Sequence, residues 1–426
     1  MEESRNEKLI GIIRLAIRTT VALIVTVIIW GCTAVPQLIE GSEANFVRLP
    51  FVRVLLQNDI PEITVSGNGT FSLECLQRDK SFVYYSSQPV TITIDRGLLT
   101  VTMRRDKLEG RFDEVIITPR NGNGLLSYQS QNYRGMFRIL PHGVNLRLIN
   151  VLHMDDYLKG VVPPEIGKVT EAELEAIKAQ AVAARTYSMR YLGQYAGEPY
   201  DMRSDVSDQL YHGVNVENEL ISRAVDDTRG IVIKYEDNLI NAYYHSTCGG
   251  YTDDIEEVWD KPAAPYLKAV DDSGICNWSG YFHWKESFTA QQLKMRLEQF
   301  LSAERGREIQ MGDIVDIKVT SRTTGGRVAG LVVKTAERNY TFGKDRVRWV
   351  FKRSSNPEMI LQSARFDVIT EHDTAGRLTR AELIGGGYGH GVGMCQCGAL
   401  GMARKGIKFD QILPFYYNNT RLVKLY

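Results

Sequence analysis

The stretch VVPPEIG, residues 161–167, carries one carboxylate, Glu165, just ahead of an alanine-rich segment, LEAIKAQAVAARTY. Pro163 and Pro164 restrict the backbone, so the acid is expected on a stiff turn rather than on a mobile tip. Val161, Val162, Pro163, Pro164 and Ile166 surround it with apolar groups, and burial among such groups penalises a carboxylate relative to its protonated form. A carboxyl that still holds its proton near neutral pH can serve as a general acid to a departing group. The plain alternative is a glutamate in solvent after two prolines.

Other polar side chains could complete such a site. Lys178 and Arg185 lie seven residues apart, two helical turns, and therefore share a face. If that face lines a groove, they donate to a bound ligand or to the acid; otherwise they are ordinary surface charges. Gln209 in DQLYHG offers an amide. His245 and Ser246 precede Gly249 and Gly250, whose lack of side chains allows a bulky ligand near the backbone. His245 and Cys248 suggest a thiol nucleophile, but three residues along a strand end put them on opposite faces. His390 lies in GYGHGVGM, which no GK[ST] follows, so a nucleotide site is poorly supported.

The elements that hold these residues can be read from pattern. FVRVLL, EITVSG, FSLEC, VTITID, LLTVTM and EVIITP alternate apolar and polar residues between Asn, Gly and Asp turns, an all-β signature. YRGMFRIL and VNLRLINVL continue the sheet to residue 156. Thr170 and Glu173 form a capping box that opens a helix, and Ala176, Ala179 and Ala183 keep it slim enough to be buried on most sides. ENELISRAVDDTRG predicts a second helix, and Thr289 with Gln292 opens a third. IVDIKVTSRTTGGRVAGLVVKT reads as a hairpin. The glycine-rich GGGYGHGVGMCQCGALGMARKG runs into a short helix near the end.

The totals set limits on function. The 426 residues are 43% hydrophobic and 24% charged, with Lys plus Arg and Asp plus Glu both 51. That balance is globular and argues against nucleic acid as a partner. Arg5, Lys8, Arg14 and Arg18 precede an apolar run from Thr19 to Cys32. Such a run predicts either an uncleaved anchor or a lipidated Cys32, and in both cases a body tethered to the outer face of the cytoplasmic membrane. An exported body permits disulfides, and Cys248 with Cys276 forms the expected pair. Cys395 and Cys397 are too close for an easy mutual bridge. No C-x-x-C pair occurs, so spacing predicts no structural zinc.

YLKGVVPPEIG, LEAIKAQAVAARTY, DQLYHG, HSTCGGYTDDIEEVWDKPAAPYLKAV and GYGHGVGMCQCGALGMA together resemble the SpoIID/LytB family, in order and spacing, from about residue 133 to the C-terminus. The resemblance implies peptidoglycan glycan strands as substrate and Glu165 as the catalytic acid of a lytic transglycosylase. In such an enzyme the C6 hydroxyl of muramic acid attacks in place of water, so one carboxyl serves as acid and then base. It also makes the glycine-rich segment a wall of the glycan cleft, with His390 as a polar contact or a satisfied structural histidine. No cofactor is implied. Some relatives enhance cell-wall amidases, which makes an amidase a second implied partner and a non-catalytic enhancer the rival reading.

Three departures from the family pattern stand out. The segment AGEPYDMRSDVS lacks the Cys and His that can hold zinc in sporulation proteins, and His212 alone cannot make a four-ligand site. Cys395 and Cys397 replace the more usual Ser and Trp. The β region before residue 133 has no counterpart in the chemistry. The expected fold is α+β, divided into a stub and anchor at 1–35, a β domain at 41–130, a core with a buried alanine-rich helix at 131–283, a β-rich insertion at 284–370 and a closing segment at 371–426.

Overall fold

The computed structural model describes residues 49–103 and 106–426. The apolar run expected to anchor the chain, and Cys32, lie outside those residues. Among the described residues, no helix is long and apolar enough to cross a membrane.

The fold is mixed α+β, as the patterning predicts. A seven-stranded sheet has the order Met202–Arg203, Phe51–Ile60, Asn145–His153, Met136–His142, Glu114–Pro119, Phe71–Gln77, Lys80–Ser86. A six-stranded sheet contains Glu62–Gly67, Val90–Asp95 and Leu98–Met103 at its centre. Alternation drives both: in FSLECLQ, Phe71, Leu73 and Cys75 are buried and the residues between them are not. Val52, Ile63, Leu73, Ile92, Val101, Ile117, Phe137 and Leu148 share one core. Phe51–Ile60 pairs with Asn145–His153, which pairs in turn with Met136–His142. The sheet therefore runs across residue 130, where the sequence suggested a division.

Helix α1 spans Met154–Ile166 and α2 spans Leu174–Arg190. Between them Thr170 donates its backbone N–H to Glu173 Oε2 at 2.7 Å, closing the expected capping box around one 3-10 turn. The small residues of α2 let it sit between two cores. Ile177, Ala181 and Ala184 belong to the β-sandwich core. Ala176, Ala179, Val182 and Ala183 face a second core with Ile233, Val392, Met394, Ala399 and Tyr416.

Helices α3 (Glu219–Asp227) and α4 (Ile255–Val258) follow. A third core then gathers Trp284, Phe288, Leu297, Leu331, Phe351 and Leu383. It is built from α5 (Ala290–Arg305), α6 (Val347–Phe351) and two three-stranded sheets. Thr289 and Gln292 cap α5 as expected. Trp284–Thr289 pairs with Leu378–Gly385, which pairs with Phe366–His372, so this β-rich part continues past residue 370. The chain returns through Met394–Cys395, α7 (Gln396–Arg404) and α8 (Phe409–Tyr416). Tyr244–His245 and Met394–Cys395 form a short parallel pair that joins the middle of the chain to its end.

Candidate active site

Glu165 sits in the last turn of α1, not on a loop ahead of the next helix. Two prolines would normally argue against that placement, because Pro164 has no N–H for the carbonyl of Gly160. The vacancy is filled from outside the helix: His212 donates its N–H to Gly160 O at 3.3 Å. A Cβ on Gly160 would lie 2.6 Å from the Tyr211 ring and 2.9 Å from Gly213 O, so glycine is required for this approach. The docked segment also brings the Leu210 N–H to 3.2 Å from Glu165 Oε1. From the other side, Gln396 Nε2 donates to Glu165 O at 3.0 Å and to Gln180 Oε1 at 3.4 Å. The acid is thus held between the start of α7 and the segment around Gln209.

Burial pushes the Glu165 carboxyl above the ordinary glutamate value, and the Leu210 N–H only partly opposes that rise. Its place at the C-terminal end of α1, where unpaired carbonyls gather negative partial charge, also disfavours the carboxylate. The carboxyl opens onto a cleft of about 380 Å³ whose walls include Tyr187, Asp208, Tyr243, Tyr244, Trp259 and His390. Tyr243 and Trp259 lie edge to face with centroids 5.1 Å apart, and Lys261 Nζ sits 4.7 Å from the Tyr243 centroid. Aromatic faces flanked by polar groups suit a sugar, whose ring has both apolar and hydroxyl-bearing surfaces.

Asp208 is the other carboxylate of this cleft, and it is already bound. Its oxygens accept from Tyr195 Oη, the Arg203 N–H and Gln194 Nε2, each at 2.8 Å. Those three bonds fix Asp208 in the cleft wall, whereas the Glu165 carboxyl accepts one, from the Leu210 N–H. Tyr244 Oη accepts from Gln209 Nε2 at 3.0 Å, and burial holds this phenol protonated, well above its usual range. The phenol therefore keeps its O–H as a hydrogen-bond donor.

Several expected contacts take other roles. Arg185 is fully buried: it binds Asp155 at 2.9 Å and donates to Val225 O and Ile231 O at 3.1 and 3.2 Å. It lies away from the cleft and fastens α2 to α1 and α3. Lys178 pairs with Glu175 and Asp227 on the same side. The two cations do share a face, but that face meets α1 and α3 rather than substrate. We expect Lys178→Ala to cost at most about 1 kcal/mol in urea unfolding and to leave turnover unchanged.

Gln209 lines the cleft but is only 2% exposed, and its amide is occupied by Tyr244, Ser188 and Tyr157. It positions Tyr244 and the Leu210 N–H instead of touching sugar. His245 is buried behind the wall, and Ser246 lies outside the cleft lining with its carbonyl accepting from the Cys397 N–H. Gly249, at φ 78°, makes room for the backbone of Gly386 and Gly387, not for a glycan, and Gly250 is buried beside it. His390 does face the cleft. Its Nδ1 accepts from the Val392 N–H at 3.0 Å and its Nε2 donates to Tyr244 O at 2.9 Å, a neutral tautomer. Burial, reinforced by Arg348, lowers its pKa to about 3, so at neutral pH the ring stays neutral and its one N–H is committed to Tyr244 O. Cys248 and Cys276 are not bridged; their sulfurs lie 3.4 Å apart.

A family model described as Stage II sporulation protein (SpoIID) matches residues 142–235, which hold Glu165, α2 and Gln209. The chain is 31% identical to Stage II sporulation protein D of Bacillus subtilis over 284 residues, 63% of this chain and 74% of that protein. The chain belongs to the SpoIID family. An uncharacterized protein of Brachyspira hyodysenteriae is 31% identical over 293 residues, 68% of this chain and 72% of its own length. The amidase enhancer of Bacillus subtilis is 30% identical over 299 residues, 62% of this chain but 40% of that protein. A domain of unknown function (DUF8618) matches residues 276–393, the part of this SpoIID-family chain that contains the third core and His390.

The aromatic wall of the SpoIID-family cleft was the part that sequence reasoning missed. Tyr187 ends the alanine-rich motif, Tyr243 and Tyr244 precede His245, and Trp259 lies in EEVWDK. The signal was present as aromatics inside the recognised motifs, but periodicity does not reveal which of them face a common space.

Proposed function

We propose that this chain is a peptidoglycan lytic transglycosylase, acting on the bond between N-acetylmuramic acid and N-acetylglucosamine. Family membership supports a cell-wall role. The observation that carries the finer reading is Glu165, a carboxyl raised by burial and placed in an aromatic-walled cleft whose other carboxylate is fully bonded. Glu165 gives its proton to the bridging oxygen as the C1–O bond of muramic acid breaks. The cation-like sugar is then attacked at C1 by its own C6 hydroxyl, whose proton returns to Glu165. The product is a 1,6-anhydromuramyl end, and the acid is regenerated without a second catalytic carboxylate or a cofactor. Positive residues ahead of the N-terminal apolar run support an activity tethered at the outer face of the cytoplasmic membrane.

Trp259 and Tyr243 supply the surface on which a sugar ring rests. Trp259→Ala should raise KM for glycan strands about tenfold, a loss of about 1–2 kcal/mol of stacking, with a smaller effect on kcat. An unchanged KM would remove these aromatics from the binding site.

The relationship to an amidase enhancer supports a second reading, in which the cleft holds glycan without cutting it. Purified full-length protein on isolated sacculi separates the two. The lytic reading predicts soluble anhydromuramyl fragments from the protein alone. The enhancer reading predicts bound, intact sacculi until an amidase is added.

A further inference from the structure

Three cysteines and an aspartate that the catalytic reading leaves unused meet behind the cleft wall. Cys248 follows the strand Tyr244–His245, Asp272 and Cys276 come from the segment after α4, and Cys395 caps α7. Their ligand atoms, three sulfurs and one carboxylate oxygen, all lie within 4.8 Å of one another, and all four residues are buried. Cys248 Sγ is 2.9 Å from Asp272 Oδ2 and 3.4 Å from Cys276 Sγ. A tetrahedral zinc ion, with bonds of ~2.3 Å to sulfur and ~2.0–2.2 Å to oxygen, needs its ligands about 3.5–3.8 Å apart. Small adjustments of these side chains meet that requirement.

A second observation points the same way. Backbone N–H groups are aimed at the sulfurs: Cys248 N–H to Cys395 Sγ at 3.1 Å, Gly398 N–H to Cys395 Sγ at 3.2 Å, and Gly250 N–H to Cys248 Sγ at 3.3 Å. Such donors stabilise metal-bound thiolates from outside the first set of ligands. Four protein ligands leave no open position, and burial leaves no path for substrate, the arrangement of a structural ion rather than a catalytic one. Thiolates with one hard oxygen favour zinc over copper(I), calcium or magnesium.

We propose that Cys248, Asp272, Cys276 and Cys395 hold a structural zinc ion. Each thiol releases its proton to solvent as its sulfur binds, no electrons move, and the site becomes formally doubly negative, as an all-cysteine zinc site is. No C-x-x-C spacing marks this site because its cysteines are distant in sequence: Cys248 and Cys395 stand 147 positions apart. The ion would tie the segment after His245, the 272–276 segment and the start of α7 into one wall. Gln396, next to Cys395, holds the Glu165 carbonyl, so the staple supports the catalytic acid without touching it.

The test is metal analysis of the full-length protein purified under reducing conditions, with cobalt(II) exchange as a second measurement. Zinc content and spectrum are read without turnover, so they stand apart from the lytic assay. The expected results are one zinc per chain, a thiolate-to-cobalt charge-transfer band with intense tetrahedral absorption, and loss of both in Cys395→Ser and Asp272→Asn. Cys75→Ala, a change at a buried cysteine elsewhere, should retain the metal. If the variants do not fold, the wild-type zinc content and cobalt spectrum decide alone. Reduced wild-type protein that takes up neither metal overturns the proposal. So does a Cys248–Cys276 disulfide in metal-free protein isolated from cells, which requires the sulfurs to close from 3.4 Å to about 2.0 Å.

Discussion

Glu165→Gln should abolish measurable turnover and, at neutral pH, make the protein more stable. The amide keeps the shape of the side chain and can still accept from the Leu210 N–H, but it has no proton to give. Loss of a positioned general acid is expected to lower kcat about 10²–10⁴-fold. The stability gain follows from the direction of the shift. Burial raises the folded-state pKa of Glu165 above its unfolded value. Its favourable contribution is therefore fully present below the ordinary glutamate range and is lost as pH rises through the folded-state value. Glutamine removes that loss. Urea unfolding of the two proteins should coincide at low pH and separate above it, with the variant ahead. The wild-type rate should fall over the same rise in pH, as the acid loses its proton. A wild type more stable than the variant at neutral pH would mean that Glu165 is a solvated or paired carboxylate, and the catalytic reading would fall with it.

The second large effect concerns Arg185. Replacement by methionine leaves Val225 O and Ile231 O without their donor and takes from Asp155 its closest cation, with Arg229 at 3.6 Å and Tyr426 Oη at 3.1 Å remaining. Breaking a buried pair in this way costs about 3–5 kcal/mol. Chemical denaturation should show that loss, while turnover per folded molecule stays near wild type because the guanidinium does not reach the cleft. The opposite pattern, intact stability with lost turnover, would return Arg185 to the substrate-binding role that its helical phase suggested.

That contrast shows where local pattern was informative. Periodicity correctly placed Lys178 and Arg185 on one face, but a shared face does not say what it meets. Here α3 and Asp155 meet it, and the cleft lies elsewhere. The capping boxes at Thr170 and Thr289 were legible because all their atoms lie within four residues. The burial of α2 was legible because alanine on most sides leaves no other use for the surface. Glu165 was legible as an acid but not as a helical residue: the prolines predicted a turn, and a donor 48 residues on, from His212, makes the helix tolerable. The cleft's aromatics and the cysteine cluster required the tertiary fold, since the parallel pair of Tyr244–His245 with Met394–Cys395 brings their segments together.

The central claim is tested most directly by digesting glycan strands with the full-length protein in isotopically labelled water and weighing the products. Attack by the muramic acid's own C6 hydroxyl predicts anhydro ends, lighter by one water than a hydrolysis product, with no label, and formed at least about a hundredfold more slowly by Glu165→Gln. Labelled reducing ends, intact strands, or equal release by the variant would contradict it.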